Sequence, residues 1–303
     1  MTDVKVKHVG LRIVLFVLAL VVAVSSFTTG ILSIGHKEEG FQVVECTFDG
    51  TVPFASENIE FNYYFSGKSN SIKKELNVLK RYYTSILKDI YKVLDPHNTY
   101  DGVVNLATIN ENLGKEVSVD PRLYSVLKDA YSRTLEGGNY NLFAGPLVSH
   151  WKSILVLDNF LEFDPINNEY EAYIISTLAQ ETSNLNNFTL DFIDDSTCTL
   201  VFDVASSLKA FLEDNELDYS YLDLNNLHDA YLFDLVSASL ISSGYSKGYL
   251  LSKDGLVLPL GDNVISSYNV LGKEGPIAVL SSAEKSVFSQ VSTFSFSSED
   301  SYF

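Results

Sequence analysis

Cysteine is scarce in this sequence. Cys46 and Cys198 are the only two in 303 residues, too few for a disulfide framework and without the paired spacing of a metal site. Methionine and tryptophan occur once each, against 18 tyrosines and 19 phenylalanines, so the core is expected to rest on aromatic rings. Positive charge is short and unevenly placed. Residues 1–149 hold 15 Lys and Arg against 16 Asp and Glu, whereas residues 150–303 hold 6 against 23. A second half of that sign repels a polyanion, which argues against nucleic acid as a partner. Gly-x-Ser-x-Gly, Walker and dinucleotide glycine patterns are missing, as is any internal repeat. What remains is 46% apolar and 20% charged residues with a net charge of -18. That is the composition of a folded chain, not of a disordered or collagen-like one. Its length suits one large domain or two ordinary ones.

The N-terminus carries the one long hydrophobic run. From Ile13 to Gly35 there is no charge, and Ile13 to Val24 is continuously apolar. Such a stretch, at about 1.5 Å per residue, spans a hydrocarbon core of roughly 30 Å. Lys5, Lys7 and Arg12 precede it; Lys37, Glu38 and Glu39 follow. The asymmetry predicts a cytoplasmic N-terminus and an exported remainder. A cleaved signal peptide with Ala23-Val24-Ser25 at its cleavage site is the competing reading. The uncharged stretch runs ten residues past that site, which favours a retained anchor. The expected organisation is a cytoplasmic segment 1–12, a single-pass anchor at 13–35, a connector at 36–50 and an extracytoplasmic domain at 51–303.

Within the exported part, Phe41 to Phe65 alternates as two strands of a hairpin. Ile72, Leu76, Leu79, Tyr83, Ile86, Ile90 and Val93 recur at helical spacing, so a long amphipathic helix is predicted from Ser71 to Leu94. Asp95-Pro96 stops it, because proline disfavours helical geometry in the residue before it. An asparagine-rich loop follows. Asp120-Pro121 then opens a helix that ends at Gly137-Gly138. Further helices are predicted at Glu169–Asn184, Ser206–Asn215 and Leu227–Ser243. Strands are predicted at Thr189–Ile193 with Thr197–Val204, at Tyr219–Leu224, and at Tyr249–Leu251 with Leu256–Leu260 across a Lys253-Asp254-Gly255 turn. The serine-rich stretch from Ser281 to Ser301 reads as edge strands. This order predicts an α+β domain with a mostly antiparallel sheet and packed helices, preceded by one transmembrane helix.

Two linked motifs carry a resemblance. Leu94-Asp-Pro-His-Asn-Thr-Tyr-Asp-Gly-Val-Val-Asn-Leu-Ala-Thr-Ile-Asn110, continuing to Asp120-Pro121, is similar to the flavin-loop region of the FAD:protein FMN transferase (ApbE-type) family. Gly137-Gly138, Asn141, Gly145-Pro146-Leu147 and Trp151 resemble that family's next signature, at its usual distance. The resemblance implies a T-fold-like α+β domain and an exported location. It also implies a reaction in which the FAD pyrophosphate is cleaved with a divalent cation such as Mg²⁺. FMN phosphate then becomes esterified to a Thr or Ser hydroxyl of an exported acceptor protein, and AMP leaves. It implies flavin-binding roles for Tyr100, by ring stacking, and for Asn105, Asn110, Asn141 and Asp223. Asp223 is also the implied metal ligand. Asn105 and Asn110 have a plainer reading, since asparagine often bonds its own loop backbone, and Gly145-Pro146 reads as shaping the backbone.

The chain departs from the family further on. Leu222-Asp-Leu-Asn-Asn-Leu-His-Asp-Ala-Tyr-Leu-Phe-Asp234 matches a strand–turn–helix motif at Asp223, Tyr231 and Asp234, but Asn225 and Asn226 replace two glycines and Asp229 replaces a lysine. Phe202 to Phe211, with Asp203 and Lys209, is the second-ranked alternative. The family's later His-Ile-Leu-Asp-Pro segment and its metal-ligating helix are not found in this sequence. Catalysis is therefore expected to be impaired, and a non-catalytic flavin-binding or interaction protein, working beside an active paralogue, is the alternative. His8, His36, His97, His150 and His228 lack metal or triad spacing and read as surface or loop residues. Cys198 reads as a small buried strand residue, and Asp191, Asp194 and Asp195 as a solvated turn.

Overall fold

The computed structural model describes residues 39–46, 59–138, 140–252 and 257–261 in full, and the backbone of 267–272 and 275–281. The membrane segment at 13–35, the Lys253-Asp254-Gly255 turn and the tail strands beyond Ser281 lie outside the described residues. Among the described residues no helix is long and apolar enough to cross a membrane.

The architecture is α+β, with every described strand pairing antiparallel. One sheet is ordered β1 (Gly40–Val43), β2 (Ile59–Phe65), β6 (Gly248–Ser252), β7 (Val257–Pro259). A second is ordered β3 (Glu116–Ser118), β5 (Thr199–Val204), β4 (Phe188–Asp194). β8 (Ser267–Gly272) and β9 (Gly275–Ser281) pair with each other. The single sheet expected from the sequence is thus divided. Alternation marks a strand but carries no information on which strand it pairs with, and β2 finds β6 nearly two hundred residues away.

The long helix α1 (Ser69–Leu94) buries Ile72, Leu79, Tyr83, Ile90 and Val93 of the predicted stripe, leaves Leu76 and Ile86 half-buried, buries Leu87 as well, and ends at Asp95 in extended backbone before Pro96. Its Tyr83 ring lies 5.1 Å from that of Phe61 on β2. The apolar core runs continuously from this layer to Leu200 and Phe202 of the second sheet. Fully burying a side chain of this size contributes about 1.5–3 kcal/mol.

Two of the predicted segments need correction. The asparagine-rich loop contains a short helix, α2 (Leu106–Glu111), whose capping box is made by Asn105 and Thr108 and whose Leu106, Ala107 and Ile109 are buried. Tyr219–Leu224 is not a strand. Its backbone groups are claimed one by one: Leu222 N–H donates to the Asn110 side chain and Asp223 N–H to Leu142 O. No ladder is left to form.

The remaining helices are α3 (Pro121–Glu136), α4 (Gly145–Leu155), α5 (Glu169–Ser183), α6 (Ser206–Asp214) and α7 (His228–Ser242). Asp120 caps α3 by accepting from Arg122 N–H, with Pro121 in the first turn, as the sequence predicts. α4 went unread in the sequence although Gly145-Pro146 supplies its first turn. Cys198 is half-buried at φ +51 in the turn before β5, not on the strand; the tight β4–β5 connection needs a left-handed residue there.

Candidate functional site

Three segments, each short of regular structure, meet in the fold. The first follows α1. Asp95, which the sequence shows only as a helix stop, is buried and acts as its hub. Its carboxylate accepts from His97 N–H at 2.8 Å, Asn98 N–H at 3.1 Å, Asn98 Nδ2 at 3.0 Å and Tyr100 Oη at 2.6 Å. An aspartate closing a turn on the next residues is an Asx motif, and Asp-Pro-His-Asn is the local signal for it. Asn105, completely buried, donates from Nδ2 to Lys92 O and Asn98 O and accepts from Thr108 N–H. Its amide is spent inside the loop.

Asn110 reaches across to the third segment. It donates to Leu222 O at 3.0 Å and accepts from Leu222 N–H at 2.9 Å, imitating a strand partner. The second segment, 140–144, leads into α4. Asn141 accepts from Phe143 N–H at 2.9 Å and donates to Thr182 O at 2.8 Å. Phe143 stacks on Phe188 of β4 with centroids 4.4 Å apart, which seats this segment on the second sheet. Leu142 O accepts from Asp223 N–H at 3.3 Å. Gly145 presses so close to Ser220 O, Tyr221 O and Asp223 Cβ that a side chain has no room.

The third segment, 219–227, holds Asp223. The residue is buried, and its carboxylate accepts from Asn225 N–H at 2.8 Å. Asn225 has φ +50. That is the left-handed region where glycine is favoured and asparagine is the readiest substitute, a physical reason for Asn where the family pattern has Gly. Asp203 and Lys209, the alternative match, bond each other at 2.6 Å at the second sheet and α6.

Of the residues named from the sequence, Asn110, Asn141 and Asp223 are thus brought together by backbone bonds. Tyr100 stays with the first segment. Lys92 Nζ lies 5.1 Å from the centroid of its ring, and burial, then the bond to Asp95, push its phenol well up. Near Asp223 stands Tyr140, which the sequence did not single out, along with residues of the strand–turn–helix motif. Among the described residues Tyr140 Oη and Asn225 Oδ1 are buried without a hydrogen-bond partner. Burial first, then Tyr231 and Asp223, push the Tyr140 phenol far up. Tyr231 Oη donates to Asp129 at 2.6 Å, and Arg133 pairs with the same carboxylate at 2.7 Å. Burial works against that carboxylate, yet the bonds from Arg133 and Tyr231 hold it below the usual range. Burial and then Asp129 raise Asp234. Asp229 pairs with His228 Nδ1 at 3.0 Å.

Behind the site, α4 is clamped by a polar array. His150 Nε2 and Glu171 Oε2 on α5 are 2.8 Å apart, both buried, and His150 Nδ1 lies 3.1 Å from Tyr219 Oη. This corrects the sequence reading of His150 as a surface or loop histidine. One residue cannot report its own burial; its partner is 21 positions away in a helix of weak amphipathicity.

Among the described residues no group of three or more His, Cys, Asp and Glu side chains is placed to hold a metal ion. Asp223 alone, with one carboxylate oxygen accepting from Asn225 N–H, does not fit Mg²⁺, which takes near-octahedral oxygen ligands.

No family model and no curated protein matches this chain at a significant level. Solved structures do. A mutant form of Flavin Transferase ApbE from Vibrio cholerae has a TM-score of 0.48 and 14% identity, covering 81% of this chain and 70% of its own. Flavin Transferase ApbE from the same organism has a TM-score of 0.44 and 14% identity, covering 79% and 62%. The apo form of Pseudomonas stutzeri flavinyl transferase ApbE has a TM-score of 0.47 and 16% identity, covering 81% and 68%. The chain is similar to flavin transferases. It spans 62–70% of the length of these three.

Proposed function

We propose that this chain is an exported, membrane-anchored flavin-transferase-like protein that binds FAD where the three segments meet and is impaired in transferring FMN. One observation carries the reading. The segments whose motifs resemble the flavin-transferase family are far apart in sequence, yet Asn110 bonds Leu222 and Leu142 bonds Asp223. Chance motif matches have no reason to assemble.

Impairment rests on charge. Asp229 stands where the family pattern has a lysine, replacing attraction for a phosphate by repulsion, and among the described residues no group of three or more His, Cys, Asp and Glu side chains is placed to hold Mg²⁺. The same observations favour, as a second reading, a flavin-binding protein without transferase activity. Tyr100 offers a ring, and Tyr140 Oη and Asn225 Oδ1 offer the polar pair.

Full-length chain in detergent, titrated with FAD, is expected to quench flavin fluorescence. Tyr100→Ala and Asn225→Ala are expected to weaken that binding by about tenfold each. With Mg²⁺ and a Thr-containing acceptor domain, in-gel flavin fluorescence of the acceptor is expected to stay at background. Robust transfer overturns the impairment; absence of any flavin binding overturns the reading as a whole.

A further inference from the structure

The end of α4, the connector to α5 and the first turns of α5 are built inside out. Leu155, Val156, Leu157, Phe160, Leu161, Ile166, Tyr170 and Tyr173 are all exposed, reaching 79% at Val156 and 87% at Ile166. Elsewhere among the described residues, exposed large apolar side chains gather in smaller numbers, as Phe41, Val43 and Tyr64 do on β1 and β2. The connector is nonetheless ordered by its own backbone. Leu157 N–H donates to Ile154 O, Phe160 N–H to Leu157 O, and Asn167 and Asn168 N–H to Asp164 O; Asn168 Nδ2 returns to Glu162 O. None of the eight joins the apolar core. An ordered apolar cluster of this size marks an interaction surface.

Its charge selects the occupant. Asp158, Glu162, Asp164 and Glu169 lie among the apolar residues, and Lys152 is the one cation of the sequence between Arg133 and Lys209. An anionic lipid surface is repelled by that rim, and so is a second copy presenting the same face. We infer that this face docks a protein segment carrying leucine-like side chains flanked by lysine or arginine. The apolar residues of that segment would cover Val156, Leu161 and Ile166, and its cations would meet Asp158 and Glu162. The inference is independent of the flavin reading. By helix rise the face lies about 16 Å along α4 from Gly145.

Trp151, the single tryptophan, sits on α4 one turn before the cluster and reports on it. The full chain, reconstituted in phosphatidylcholine nanodiscs, is titrated with a helical peptide of Leu and Lys of about five turns (~18 residues) and with its Leu–Glu counterpart. The Leu–Lys peptide is expected to bind and shift Trp151 emission, and the Leu–Glu peptide to do neither. V156E/L161E/I166E is expected to weaken binding at least about tenfold, although it adds negative charge, because apolar burial is lost. D158K/E162K is expected to weaken it as well, through lost attraction. Val78→Glu and Leu135→Glu, at exposed apolar sites on α1 and α3, are expected to leave it unchanged. Undiminished binding by V156E/L161E/I166E reduces the effect to net charge and overturns the inference. So does a peptide-free emission shift in phosphatidylglycerol discs, which makes the face a lipid contact. Self-association abolished by the same substitutions makes it a copy–copy contact and overturns it equally.

Discussion

The meeting point of the three segments and the α4–α5 connector are opposite solutions to having little regular structure. In the first, polar side chains take over the work of a ladder. Asp95, Asn105, Asn110 and Asn141 each hold two or more partners, mostly backbone groups. In the second, the backbone closes on itself and the apolar side chains face outward. The first region is therefore rigid and intolerant of change. The second is ordered but owes the fold almost nothing. α4 joins them, with its glycine end packed into one and its C-terminal end opening the other.

The contrast is most directly broken at the helix clamp beneath the connector. Glu171→Leu, which strands His150 in the interior, is expected to cost about 3 kcal/mol in urea unfolding. His150→Leu with Glu171→Leu is expected to recover part of that loss, because the two halves of the buried pair go together and Tyr219 Oη keeps Ser153 Oγ at 3.4 Å. Gly145→Ala is expected to cost about 2–3 kcal/mol, since its methyl must displace Ser220 and Tyr221 carbonyls. It is also expected to weaken any flavin binding, a second readout that stability alone does not give. Asn110→Leu leaves both Leu222 backbone groups unpaired, for about 2 kcal/mol.

Asp120→Ala, removing the α3 cap and the Arg122 pair, is expected to cost about 1 kcal/mol at neutral pH. Its bond with Arg122 lowers the Asp120 carboxyl against the opposing effect of burial. The stabilisation is thus present above the unfolded-state value near 3.9 and is lost as pH falls through the lower folded value. The variant's acid limb is expected to be shallower in that window. The smallest effect belongs to the connector: Ile166→Glu is expected to shift stability by no more than about 0.5 kcal/mol. A large loss there erases the distinction between the two regions.

The sequence carried α1, the Asp120-Pro121 helix start and the β4–β5 hairpin plainly, because helical spacing, caps and turns are local events. It also carried the motif resemblance of the site. It did not carry the bond between Asn110 and Leu222, the burial of His150 against Glu171, or the unpaired Tyr140 and Asn225 atoms, since each depends on a partner remote in the chain. Asn225 shows the boundary between the two kinds of information. In sequence it is a departure from a glycine; its φ of +50 makes the departure conformationally reasonable.

Composition, element type and the positions of turns were thus determined by the residues themselves, as short-range steric and periodic preferences. Which strands share a sheet, which asparagines are consumed by backbone, and which apolar side chains are left facing solvent were decided only by tertiary structure. Burial and hydrogen-bond satisfaction belong to contacts between segments, and no single segment contains them.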